Sequence, residues 1–104
     1  MLSVLFSNLP KGVPTDKYDY YWGIISETKK VLGYDTSYIR DGNFEESLVG
    51  KDVLVVFPGL ADDERAVKHA CALGIPIVQV YGPHGKALGA LGGALWQIEQ
   101  KKIP

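Results

Sequence analysis

The sequence predicts an α/β protein, a small Rossmann-like three-layer sandwich with helices on both faces of a parallel sheet of about four strands. Three observations predict it. Short apolar, β-rich runs alternate with longer segments of helical periodicity, and the connections between them are short. The run "DVLVVF" at 52–57 is apolar without a break, as expected of a central parallel strand buried on both faces. The 104 residues fit one domain, 1–104, with about 65 % of the unfolded surface buried.

Each element has its own signal. "LSVLFS" (2–7) reads as a buried strand running into the turn residues "NLPKGVP". From Asp16 to Leu32, Tyr18, Tyr21, Trp22, Ile25 and Leu32 recur at helical spacing, with Asp16 as N-cap and Gly33 just past the end. "YDTSYIR" (34–40) is polar enough for an edge strand, and "DGNFEESLVG" holds a turn and a short helical piece. After the central strand, 62–73 form a helix with Ala66, Val67, Ala70 and Leu73 facing inward, ended by Gly74. "IPIVQVY" (75–81) is a further buried strand, and a last helix covers 86–101. The expected strand order is 2-1-3-4.

Composition narrows the function classes. A net charge of −1 gives no electrostatic footprint for nucleic acid or an anionic membrane. The start of the sequence shows neither a signal peptide nor a membrane span. Cys71 is the only cysteine, which suits a reducing cytoplasm, and on its helix it is expected to pack against small neighbours. With two histidines and no HxxxH spacing, neither a metal nor a cofactor is expected. His69, in mid-helix, reads as a surface residue.

Ligands of such sheets sit beyond the carboxyl ends of the strands, where strand order reverses. That rule selects "SNLPKG", "PGLADDE" and "YGPHGKA". In the second loop Asp62, Asp63 and Glu64 crowd a helix start; they suit the macrodipole but repel phosphate, so this loop would meet ribose hydroxyls or a cation. In the third, His84, Gly85 and Lys86 surround free backbone N–H groups at the start of the last helix, as an anion site requires. The cationic mouth and the acidic lip are expected to open onto one crevice.

The stretch "YGPHGKALGALGGALW" poses a separate question. Interior glycines cost a helix roughly 1 kcal/mol each relative to alanine. Gly82 and Gly85 belong to the loop and permit ligand approach. Gly89, with Gly92 or Gly93 and beside Ala90 and Ala94, makes a smooth face expected to lie against the sheet or against the same helix of a second subunit. A homo-oligomer, dimer or larger, is therefore expected, joined through this helix or the aromatic first one.

"VVFPGLADDERAVKHACALGIPIVQVYGPHGKALG" resembles the SLOG superfamily of small Rossmann-like domains over roughly 52–96. Pro58-Gly59 stands at the family's glycine pair, Glu64-Arg65 at its acid-arginine step, and His84-Gly85-Lys86-Ala87 with Gly89 at its last motif. Gly92-Gly93 replaces the arginine-asparagine step that follows in the family. The resemblance implies binding of a nucleotide or nucleotide-derived ligand, with Pro58, Gly59, Arg65 and Gly89 added to the contacts. The same stretch is similar to nucleoside deoxyribosyltransferase-like proteins, in which a glutamate attacks the sugar; Ala66 takes that position here, two residues from Glu64.

Three functions follow as expectations. The first is a sensor or sequestering module for a nucleotide-derived small molecule. Lys86, His84 and the N–H groups after Gly85 take its phosphate, Asp62, Asp63 or Glu64 its ribose, and Ser7 and Asn8 close the other side. The second is an N-glycosidase or deoxyribosyltransferase-like enzyme with Glu64 or Asp63 as nucleophile or base and the substrate's base stacked on Tyr18 or Tyr21. The third is an oligomeric interaction scaffold.

Overall fold

Neighbouring parallel strands need a crossover between them, and the described elements supply helices for it. The computed structural model describes residues 2–7, 15–39, 44–57, 63–80 and 82–102, without the side chains of 15–19, 44, 63–64 and 102. Along the chain come β1 (Ser3–Phe6), α1 (Thr15–Lys30), β2 (Asp35–Tyr38), α2 (Phe44–Leu48), β3 (Val53–Val56), α3 (Asp63–Ala72), β4 (Ile77–Gln79) and α4 (His84–Lys102). The sheet is parallel throughout, in the expected order β2-β1-β3-β4. Register is set by Ser3 opposite Asp35, Val4 opposite Val53 and Leu54 opposite Ile77. A carboxylate oxygen of Asp52 accepts the Ser3 N–H at 2.7 Å and fixes where β1 begins beside β3.

The period-two alternation of side chains divides the core into two. Val4, Phe6, Val53, Val55, Phe57 and Val80 face α1 and α4, where Ile24, Ile25, Ala87, Leu91 and Leu95 meet them. Leu5, Leu54 and Val56 face α2 and α3, against Leu48, Ala66 and Ala70. All four β3 residues are buried, so the unbroken apolar run marks a strand covered on both faces, as expected.

Several boundaries differ from the sequence reading. Helix α3 ends at Ala72, because Gly74 adopts φ +74° and Ile75 N–H returns to the Ala70 carbonyl at 2.9 Å. Leu73 therefore lies past the last helical residue and is 51 % exposed instead of facing inward. Cys71 is exposed, not packed: it follows the buried Ala70 by about 100° around the helix. The last strand is shorter than 75–81, and α4 begins two residues earlier than expected, at His84.

The smooth face of α4 does not lie against the sheet. Ala87, Leu91 and Leu95 take that side, while Gly85, Gly89 and Gly93 turn away, where an added Cβ would meet nothing within 4 Å. Trp96, on the same outer side, is 58 % exposed. Gly92 alone of these helical glycines is packed: its Cβ would come 3.2 Å from Leu32 Cδ2. Among the described residues, no helix is long and apolar enough to cross a membrane.

Candidate functional site

Strand order reverses between β1 and β3, so the crevice expected of such a sheet opens where those two strands end. Ser7 sits at that point. Its N–H donates to the Val55 carbonyl at 2.8 Å and its Oγ accepts the Phe57 N–H at 3.3 Å. At 1 % exposure, the hydroxyl joins the two strand ends and is not open to a ligand. Ser7 is thus a positioning residue of the crevice. Asn8, Pro58, Gly59 and Asp62 lie outside the described residues.

The turn from β4 into α4 is held by α1. Gly82 has φ +89°, a conformation suited to glycine, and its carbonyl accepts the Tyr20 hydroxyl at 2.9 Å. Burial, with a smaller contribution from Tyr21, raises the Tyr20 pKa above the ordinary 10.0, so the hydroxyl keeps its proton at neutral pH. His84 packs beside the bare backbone of Gly23, edge-on to Tyr20 at 6.2 Å, with Nε2 3.5 Å from a Glu27 carboxylate oxygen. Tyr21 lies against Phe57 at 4.6 Å, which ties the same helix to the end of β3. Of the two aromatics expected to stack on a base, Tyr21 is thus engaged within the chain. The Tyr18 side chain lies outside the described residues.

Beside this turn is a cleft of about 240 Å³ lined by Gln79, Val80, Gly82, Pro83, Lys86, Ala87 and Ala90. Its walls are largely apolar, with the Lys86 side chain at the rim. Lys86 has no ion pair among the described residues. Pro83 accepts the Ala87 N–H at 2.9 Å through its carbonyl and carries no side-chain acceptor. The first-turn N–H groups of Gly85 and Lys86 therefore have no side-chain cap among the described residues. The 19-residue α4 places the positive end of its dipole there.

No family model, curated protein or solved structure matches this chain.

His84 and Lys86 do not share one cradle. Two positions apart on a helix, they point about 200° apart: His84 toward α1 and Lys86 toward the β4 side. Gly85 and Gly89 are exposed and do not line the cleft. Asp63 and Glu64 form the first turn of α3 with the exposed Arg65. Helices α3 and α4 start at the same end of the sheet but cover opposite faces. Among the described residues, no group of three or more His, Cys, Asp or Glu side chains is placed to hold a metal. Sequence reasoning missed Tyr20, Gly23 and Glu27 as supports of the site; the available signal was a glycine set inside an aromatic helix.

Proposed function

We propose that the protein binds a nucleotide or nucleotide-derived small molecule at the carboxyl end of its parallel sheet, acting as a sensor or sequestering module. The observation that supports this reading is the cleft at the mouth of α4. There Lys86 and the first-turn N–H groups, without an ion pair or side-chain cap among the described residues, adjoin an apolar wall of Val80, Ala87 and Ala90. An anion gains from both the helix terminus and the ammonium group, while the wall accepts the flat face of a sugar or base. About 240 Å³ suits a phosphate with its sugar better than a dinucleotide. The resemblance to SLOG domains supports the same ligand class.

The test is a thermal-shift panel of ribose 5-phosphate and nucleoside mono- and diphosphates. A ligand at a hundred times its Kd stabilises the folded state by about 2.7 kcal/mol. Lys86→Glu should remove that shift while leaving the unliganded transition in place. No shift with any member of the panel would reject the reading. Release of free base, lost in Glu64→Gln, would replace it with an N-glycosidic enzyme.

Self-association belongs to the same reading. The outward Gly85, Gly89 and Gly93 let a second α4 approach closely, and the neighbouring Trp96 offers apolar surface to it. Light scattering should give a multiple of the 11.4 kDa chain mass, reduced to one chain by Gly89→Leu.

A further inference from the structure

The other side of the sheet, away from the cleft, ends in β2, which among the described residues pairs with β1 alone. The Ile39 N–H donates to the Phe6 carbonyl at 3.0 Å, so by the alternation of a parallel ladder Ser37 also faces β1 and Thr36 turns its N–H and C=O outward. No further strand lies there among the described residues. A cleft flanks this edge on each face of the sheet. The one beside α1, about 350 Å³, is lined by Ile25, Lys29, Thr36, Ser37 and Tyr38. The one beside α2, about 240 Å³, includes Glu46, Val49 and Lys51. The enclosed Ser37 Oγ, close to both clefts, has no hydrogen-bond partner among the described residues.

We propose that the β2 edge docks an extended acidic peptide of another protein as an added strand. Successive side chains of such a strand point to opposite faces, so they enter the two clefts in alternation while its backbone bonds to Thr36. On the α1 side Lys29, the one charged residue lining the cleft, has no ion pair among the described residues and selects an aspartate or glutamate at the position whose side chain enters there. On the α2 side Glu46 and Lys51 balance one another and favour uncharged polar or small apolar side chains. Charge also decides against a second copy of this chain. Antiparallel β2–β2 pairing about a two-fold axis normal to the sheet brings a second Lys29 to the α1 side of the seam, where the cleft lining offers no acid to meet it.

Selection of a random octapeptide display library on the full chain tests this. Enriched peptides should share one Asp or Glu at a fixed position of an extended motif and lack proline. Their affinity should fall at least tenfold in Lys29→Glu and return when the peptide's shared acid is exchanged for lysine. Thr36→Pro should abolish binding; should that variant not fold, N-methylation of alternate peptide amides tests the same hydrogen bonds from the other side. The Thr36 amide resonance should shift on adding an enriched peptide. Enrichment without that shared acid, or affinity unchanged by Lys29→Glu, overturns the proposal. So does a Thr36 shift that depends on protein concentration with no peptide present, which would mean edge-to-edge self-pairing.

Discussion

Gly23 and His84, on different helices, occupy one another's space: a Cβ at Gly23 would stand 3.1 Å from His84 Nε2 and 3.5 Å from its Cδ2. The imidazole fills the gap that the missing side chain leaves, and the turn leading into α4 is thereby set against α1. Replacing Gly23 weighs two opposed effects. Alanine gains roughly 1 kcal/mol of helix propensity, but the ring must yield by a few tenths of an ångström. Gly23→Ala should therefore stay within about 0.5 kcal/mol of the parent. Gly23→Val should lose about 1–3 kcal/mol and separate His84 from Glu27. Urea midpoints and the His84 imidazole resonances read the two outcomes.

Tyr20 connects pH to the same turn. Its pKa is higher in the folded protein than the ordinary 10.0, chiefly through burial. A raised pKa means that the folded state holds the proton more tightly. The resulting stabilisation is complete below pH 10 and lost as pH rises through the folded value. Alkaline unfolding should accordingly steepen above about pH 10, with tyrosinate absorbance lagging behind that of free tyrosine. Tyr20→Phe should remove this contribution and, at neutral pH, lose about 1 kcal/mol for the hydrogen bond to Gly82.

The glycines of α4 should separate by face. Gly89→Ala and Gly93→Ala meet open space, and each should raise chain stability by about 0.5–1 kcal/mol. Gly92→Ala presses on Leu32 at 3.2 Å, and its propensity gain should be largely offset. Equal gains at all three positions in denaturant titrations would contradict the packing of α4 on Leu32.

Ser7 should matter for stability before it matters for ligand. Ser7→Ala leaves the buried Phe57 N–H without the oxygen that accepts it, at a cost of about 1–3 kcal/mol. The thermal midpoint should fall, while nucleotide affinity measured well below that midpoint changes by less than threefold. A tenfold loss of affinity with unchanged stability would make Ser7 a direct contact instead.

The layers and strand order were legible because local patterns encode them. "DVLVVF" announces a strand buried on both faces, and the alternation of strands with helices leaves few topologies for a parallel sheet. Gly74 also announced the end of α3, although not that Leu73 would fall beyond it. The contacts around the candidate site were not legible in the same way. Tyr20 and Gly82 are 62 residues apart, and nothing local to either names the other. His84 and Lys86 looked like one cationic cluster because sequence neighbours were read as spatial ones. The helix start at His84, two residues earlier than expected, sends them to different sides. The smooth face of α4 was visible as a pattern, but its direction depended on which residues the sheet claimed, and those were Ala87, Leu91 and Leu95.

The outward position of Cys71 has a practical side. As the sole sulfhydryl of the chain, it accepts one maleimide dye per molecule on α3, across the sheet from α1 and α4. A fluorophore there reports tumbling without touching the Lys86 cleft. In air, the same group can link two chains covalently, so mass measurements need a reductant to distinguish that cross-link from association through α4.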